Sequence, residues 1–72
     1  MNIERKPIRR GGIRSAGYDR GSRTLEIEFD NGSIVRHTGV GDEIARRFLA
    51  SGSPASYYRD TIEDEFARQR VK

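Results

Sequence analysis

Thr24-Leu25-Glu26-Ile27-Glu28-Phe29-Asp30-Asn31-Gly32-Ser33-Ile34-Val35-Arg36-His37-Thr38 is the stretch that decides the fold. Its first six residues alternate strictly, with Leu25, Ile27 and Phe29 on one face and Thr24, Glu26 and Glu28 on the other. A period of two marks a half-buried antiparallel strand. Asp30-Asn31-Gly32 then reverses the chain, because Asn and Gly accept positive φ at little cost. Residues 33–38 return as the partner strand. Two registers compete. A two-residue turn pairs Phe29 with Ile34 and puts Arg36 on the core face. A three-residue turn with Gly32 in the left-handed region pairs Phe29 with Ser33, sets Val35 and His37 beside Leu25 and Ile27, and brings Arg36 near Glu26. One residue of slip exchanges the faces. The second register is preferred because it pairs opposite charges across the strands.

Working outward, Ile13-Arg14-Ser15-Ala16-Gly17-Tyr18 forms a short first strand, ended by the turn formers Asp19-Arg20-Gly21-Ser22. After Gly39-Val40-Gly41 a helix is expected over Asp42–Ala50. Asp42 and Glu43 suit its positive N-terminal end, and Ser51-Gly52 stops it. Ile44, Ala45, Phe48 and Leu49 share one face. A second helical segment starts with Ser53 as N-cap and Pro54 at the first helical position. Tyr58, Ile62 and Phe66 then recur every four residues on one side. The expected fold class is α+β: a three-stranded antiparallel β-meander with one or two C-terminal helices packed on one face.

The chain has 72 residues, 33% apolar and 35% charged, enough for one small unit with a thin core. Cysteine is absent and His37 is the single histidine, so neither a disulfide nor a zinc staple is expected. No apolar run approaches the ~20 residues of a membrane span and no signal-peptide core follows the basic start, so a soluble, cytoplasmic protein is expected. The net charge of +3 is unevenly spread. Residues 1–14 hold five cations against one carboxylate, and residues 15–72 hold nine against ten. Residues 1–12 lack a strand or helix period, contain Pro7 and end in Gly11-Gly12. They are expected to form a flexible basic arm on a single domain of residues 13–70. Basic arms reach into nucleic-acid grooves or onto acidic protein surfaces. Arg5, Lys6, Ile8, Arg9, Arg10 and Arg14 are therefore the candidate partner-binding residues, Ile8 being an apolar anchor suited to a protein groove.

Signs of catalysis are missing. Nucleophilic catalysis needs a nucleophile, a base and an orienting group, and His37 stands alone in mid-strand. Glu63, Asp64 and Glu65 are consecutive, so they splay around a helix rather than converge on a metal. Gly39-Val40-Gly41 resembles half of a phosphate loop, but Asp42 and Glu43 already occupy the positive helix end. No catalytic residue, cofactor, metal or small-molecule substrate is expected.

Three stretches taken together resemble the KTSC domain, a short module found at the C-terminus of some lysyl-tRNA synthetases and as a stand-alone bacterial and phage protein. They are residues 13–19 followed by 24–29, residues 31–40, and Ser53-Pro54-Ala55-Ser56-Tyr57-Tyr58 leading to Ile62. The family's central Tyr-x-Tyr falls on Val35-Arg36-His37, and the glycine of its Ser-x-Gly-x-Tyr-Phe falls on Ala55. The resemblance brings no established reaction and suggests RNA as a partner by association. Stacking of RNA on the sheet would need exposed aromatics and a positive rim. The exposed sheet face is expected to carry Glu26 and Glu28 instead, with His37 as its only aromatic candidate. The leading expectation is thus a non-enzymatic, monomeric protein that binds bacterial RNA polymerase and regulates transcription, as small phage-encoded proteins do. The alternative is direct, weakly specific RNA binding as a translation- or tRNA-associated accessory domain.

Overall fold

The hairpin at residues 24–38 takes the three-residue turn. In the computed structural model, which describes residues 3–72, Phe29 N donates to Ser33 O and Gly32 N to Phe29 O, both at 2.9 Å. Gly32 has φ +89°, a conformation that glycine adopts without Cβ strain. Leu25 pairs with His37, Glu26 with Arg36 and Ile27 with Val35, the register in which opposite charges meet.

This hairpin is the centre of a five-stranded antiparallel sheet with strands in sequence order: β1 Lys6–Arg10, β2 Ile13–Asp19, β3 Thr24–Phe29, β4 Ile34–Thr38 and β5 Ala67–Arg70. Helix α1 spans Asp42–Ala50, as the sequence predicts. Helix α2, Pro54–Tyr57, widens into a π-helical turn over Tyr58–Ile62, closed by Glu63 N donating to Tyr58 O at 2.8 Å. The helices meet the sheet in one core of Ile13, Ala16, Leu25, Ile27, Val35, Val40, Ala45, Phe48, Tyr58 and Ile62. The class is α+β with an antiparallel sheet and two helices.

The expected three strands are five, and the expected arm is not a strandless tail. Residues 6–10 pair with β2 because Gly11-Gly12, at φ +58° and +90°, forms a two-residue turn with both central residues at positive φ. Its twist matches that of the flanking strands. The strand period is hidden by a register shift between Pro7 and Arg10, where Arg9 sits at φ +54°. The domain boundary at residue 13 therefore moves outward, since β1 belongs to the sheet. Residues 1–2 of the expected arm lie outside the described residues. Strand β5 escapes sequence detection because Ala-Arg-Gln-Arg is exposed at all four positions and carries no apolar alternation. It also ends the second helix earlier than the Tyr58, Ile62, Phe66 spacing suggests, leaving Phe66 beyond the helix and half-buried against the core.

The N-terminal segment crosses the outer sheet face at Gly17. A Cβ on Gly17 would come within 2.1 Å of the Glu4 carbonyl oxygen, so only glycine admits the crossing. Arg5 is thereby delivered to Glu26, its guanidinium 2.6 Å from Oε2, while Arg36 holds Oε1 at 2.7 Å. Glu26, expected on an exposed face, is only 4% exposed.

Two outcomes follow from this packing. Phe48, fully buried, should cost about 3–5 kcal/mol when truncated to alanine, a large share of the stability of so small a domain; urea unfolding measures it. Gly17→Ala should cost about 1.5–3 kcal/mol, the scale of a lost charged hydrogen bond, by displacing residues 3–5. Combined with Arg5→Ala it should cost less than the sum of the two single changes, because both remove the same Arg5–Glu26 contact.

Candidate functional site

Four of the six candidate residues share β1. Lys6, Arg9 and Arg10 are exposed, and none forms an ion pair with a described residue. Arg10 reaches only the Gly52 carbonyl, at 3.5 Å. Ile8 is half-buried against the core cluster. The other two candidates are absorbed by structure. Arg5 is committed to Glu26. Arg14 lies 3.7 Å from Glu28 and donates to the Asp30 carbonyl at 2.9 Å. The cause is the outer sheet face, whose two glutamates recruit one cation from the segment before β1 and one from β2.

Beside β1, between it and α1, runs an open groove of about 890 Å³ lined by Pro7, Ile8, Ala45 and Leu49 with Lys6 and Arg46 at its rim. Leu49, expected on the buried face, is 43% exposed. The reason is angular. At 100° per residue, Ala45 and Phe48 define the buried centre of α1, and Leu49 lies about 70° to one side. Arg46 shares Asp42 with Arg20, at 3.6 and 3.4 Å, so the acidic end of α1 is neutralised. Leu49 is the functional candidate the sequence reading missed; its position on the flank of the stripe was the available signal.

The opposite surface offers no stacking platform. Strand positions on the outer face are Ser15, Gly17, Asp19, Thr24, Glu26, Glu28, Ile34, Arg36, Thr38, Ala67 and Gln69, with no aromatic among them. Ser15 donates to Glu28 at 2.8 Å. His37, the one aromatic candidate for that face, lies on the core side at 0% exposure. Among the described residues no group of three or more His, Asp or Glu is placed to hold a metal ion. Among the described residues no helix is long and apolar enough to cross a membrane.

The KTSC family model matches residues 11–66, most of the chain. The chain belongs to the KTSC domain family. An uncharacterized protein of Stutzerimonas stutzeri (strain A1501) is 26% identical over 66 residues, covering 92% of this chain and 93% of that one. The crystal structure of a KTSC domain protein from Yersinia pestis superposes with a TM-score of 0.90 at 26% identity, over 99% of this chain and all of the other. Of the positions where the resemblance implies a different residue, Val35 and His37 lie in the core and Ala55 is half-buried against it. Val35 and His37, on the tyrosine positions, are 8% and 0% exposed and face the helices. Ala55, on the glycine position, faces Gly11, where a Cβ would approach that of Ala55 to 2.9 Å. The missing side chain at Gly11 makes room for the extra one at Ala55.

His37 Nε2 lies 2.8 Å from the Tyr58 hydroxyl, and the two rings meet edge to face at 5.3 Å. Nδ1 has no partner of hydrogen-bond geometry. Burial holds the His37 pKa below its ordinary 6.5; the nearby backbone of Phe66 offsets this in part and the Arg68 charge adds to it. Burial likewise raises the Tyr58 hydroxyl above its ordinary 10. The unfolded chain therefore takes up a proton on His37 before the folded chain does. Stability is fully present above the unfolded pKa and falls as pH drops through and below about 6.5, until the folded pKa is reached. The urea midpoint of the wild type should drop between pH 7.5 and pH 5 by more than that of His37→Gln. Equal drops would remove His37 as the cause.

Proposed function

We propose that this KTSC domain is a non-enzymatic binding module of the bacterial or phage-infected host cytoplasm that acts as a monomer, docks on nucleic-acid machinery, RNA polymerase first, and modulates transcription. The observation that carries this reading is the composition of the β1–α1 surface. Lys6 stands beside half-buried Ile8 and exposed Leu49 along one groove, and Arg9 and Arg10 are exposed further along β1, none of the three cations forming an ion pair with a described residue. A surface of that kind matches a protein patch carrying both carboxylates and apolar side chains, because desolvated apolar contacts supply affinity while charges steer approach. The outer sheet face supports the same choice. Its glutamates are engaged by Arg5, Arg14 and Arg36, and it has no aromatic on which a base could stack.

Purified bacterial RNA polymerase, immobilised and titrated with the full chain, tests the reading. Leu49→Ser, a change of no charge at an exposed position, should weaken binding about tenfold, as should Arg9→Glu/Arg10→Glu. Nuclease treatment should release nothing. Direct RNA binding, the second reading, rests on the same three cations. It predicts the opposite pattern: indifference to Leu49→Ser, and a log–log salt slope that falls by ~0.7 for each arginine replaced.

A further inference from the structure

The two edges of the sheet are built differently. On β1, Pro7 lacks a backbone donor and the irregularity at Arg9 breaks the edge, two devices that prevent strand addition. Strand β5 has neither within Ala67–Arg70; the pairing turns irregular only beyond it, where Ile34 O accepts from both Val71 N and Lys72 N. Its register against β4 runs without a shift from Thr38↔Ala67 to Val35↔Arg70. Val71 N donates to Ile34 O at 2.7 Å, so by the alternation of an antiparallel ladder the backbone groups of Gln69 and Ala67 face β4 as well. The N–H and C=O groups of Arg68 and Arg70 therefore point away from the sheet. Their side chains stand on the helix side, opposite His37 and Val35. There they border an open groove of about 520 Å³, floored by Phe29 and Val35 and rimmed by Arg59. The one carboxylate lining this groove, Glu63, lies 3.8 Å from Arg68. Arg59 and Arg70 have no ion pair among the described residues; Arg70 Nε donates to the Lys72 carbonyl at 3.3 Å.

We propose that β5 is a docking edge for an extended acidic segment of a partner protein, which adds a sixth, antiparallel strand. This is a surface separate from the β1–α1 groove and does not depend on the function assigned to that groove. Backbone groups of Arg68 and Arg70 bind the incoming chain. Carboxylates at alternate positions of that chain stand opposite the two guanidiniums on the groove side, the cross-strand pairing that favours opposite charges. A second copy of this chain is selected against, because antiparallel β5–β5 pairing brings arginine against arginine.

The test uses the 15N-labelled full chain titrated with a ten-residue peptide alternating glutamate and threonine at 50 mM salt. Binding should shift the amides of Arg68 and Arg70 before any on β1. A peptide N-methylated at the backbone nitrogens that meet β5 should bind at least tenfold more weakly, since charge is kept and only the ladder is lost. Arg68→Glu/Arg70→Glu, whose fold is checked by circular dichroism, should lose the acidic peptide and gain its lysine counterpart. Absence of binding at millimolar peptide overturns the proposal, as does indifference to N-methylation. Tighter binding of an oligouridylate through the same arginines, or a homodimer whose shifts map to β5, likewise assigns the edge to another partner and overturns it.

Discussion

The turn at Gly32 fixes the faces of every strand. With φ +89° it holds Phe29 against Ser33, and that single pairing sends Val35 and His37 inward and Arg36 outward. The alternative two-residue turn would press the Arg36 guanidinium into the apolar core without a partner, at a cost of several kcal/mol. Parity then passes across the ladders in both directions. Through β4 it sets Arg68 and Arg70 on the helix side, and through β2 it sets Ile13, Ala16 and Tyr18 there. A one-residue slip would exchange core and surface along the whole sheet.

Once Glu26 faces outward beside Gly17, the N-terminal segment becomes part of the fold. A carboxylate with only 4% exposure needs charged partners, and Arg36 satisfies one oxygen. Arg5 satisfies the other, and reaches it because Gly17 lets the chain pass. Glu28 engages Ser15 and Arg14 in the same way. The outer face thus consumes its own charge. Cations left over at the sheet edges (Lys6, Arg9, Arg10, Arg70) and on the π-helical turn (Arg59) mark both candidate surfaces; Arg23, in the β2–β3 turn, belongs to neither.

Much of the architecture was legible in the chain, and the limits have physical causes. Strict alternation over residues 24–29, Asn31-Gly32, and the capped stripe over Asp42–Ala50 each combine two independent signals, and the structure follows them. Strand β1 was hidden because its bulge breaks the period, although Gly11-Gly12 between Ile8 and Ile13 is itself a hairpin signal. Gly17 within a strand was a sign of close backbone approach that went unused. Strand β5 has no hydrophobic pattern to read, because an edge strand of Ala-Arg-Gln-Arg is held by its ladder alone. For the site, Lys6, Ile8, Arg9 and Arg10 were legible as a cluster because they adjoin in sequence. The loss of Arg5 and Arg14 to Glu26 and Glu28 was not, since it depends on residues 21 and 14 positions apart.

A backbone that superposes at a TM-score of 0.90 with only 26% identity is specified by pattern rather than by particular side chains. His37 illustrates how. It fills a core position with a ring that Tyr58 satisfies at one nitrogen, and the fold accepts the unpartnered other. Such substitutions change stability and its pH dependence without touching the surface. The differences that remain lie where side chains meet solvent, and the two sheet edges differ there in chemistry. The β1 edge is guarded along its backbone, so the recognition proposed there would rest on side chains: Lys6 and the apolar groove beside it, with Arg9 and Arg10 further along the strand. The β5 edge is open along its backbone, so recognition there begins with main-chain hydrogen bonds that any extended segment can make. Arg68 and Arg70 then restrict the choice to acidic ones. The guarded edge and the open edge lie at opposite ends of the strand order, so the two proposed surfaces do not compete for the same strand.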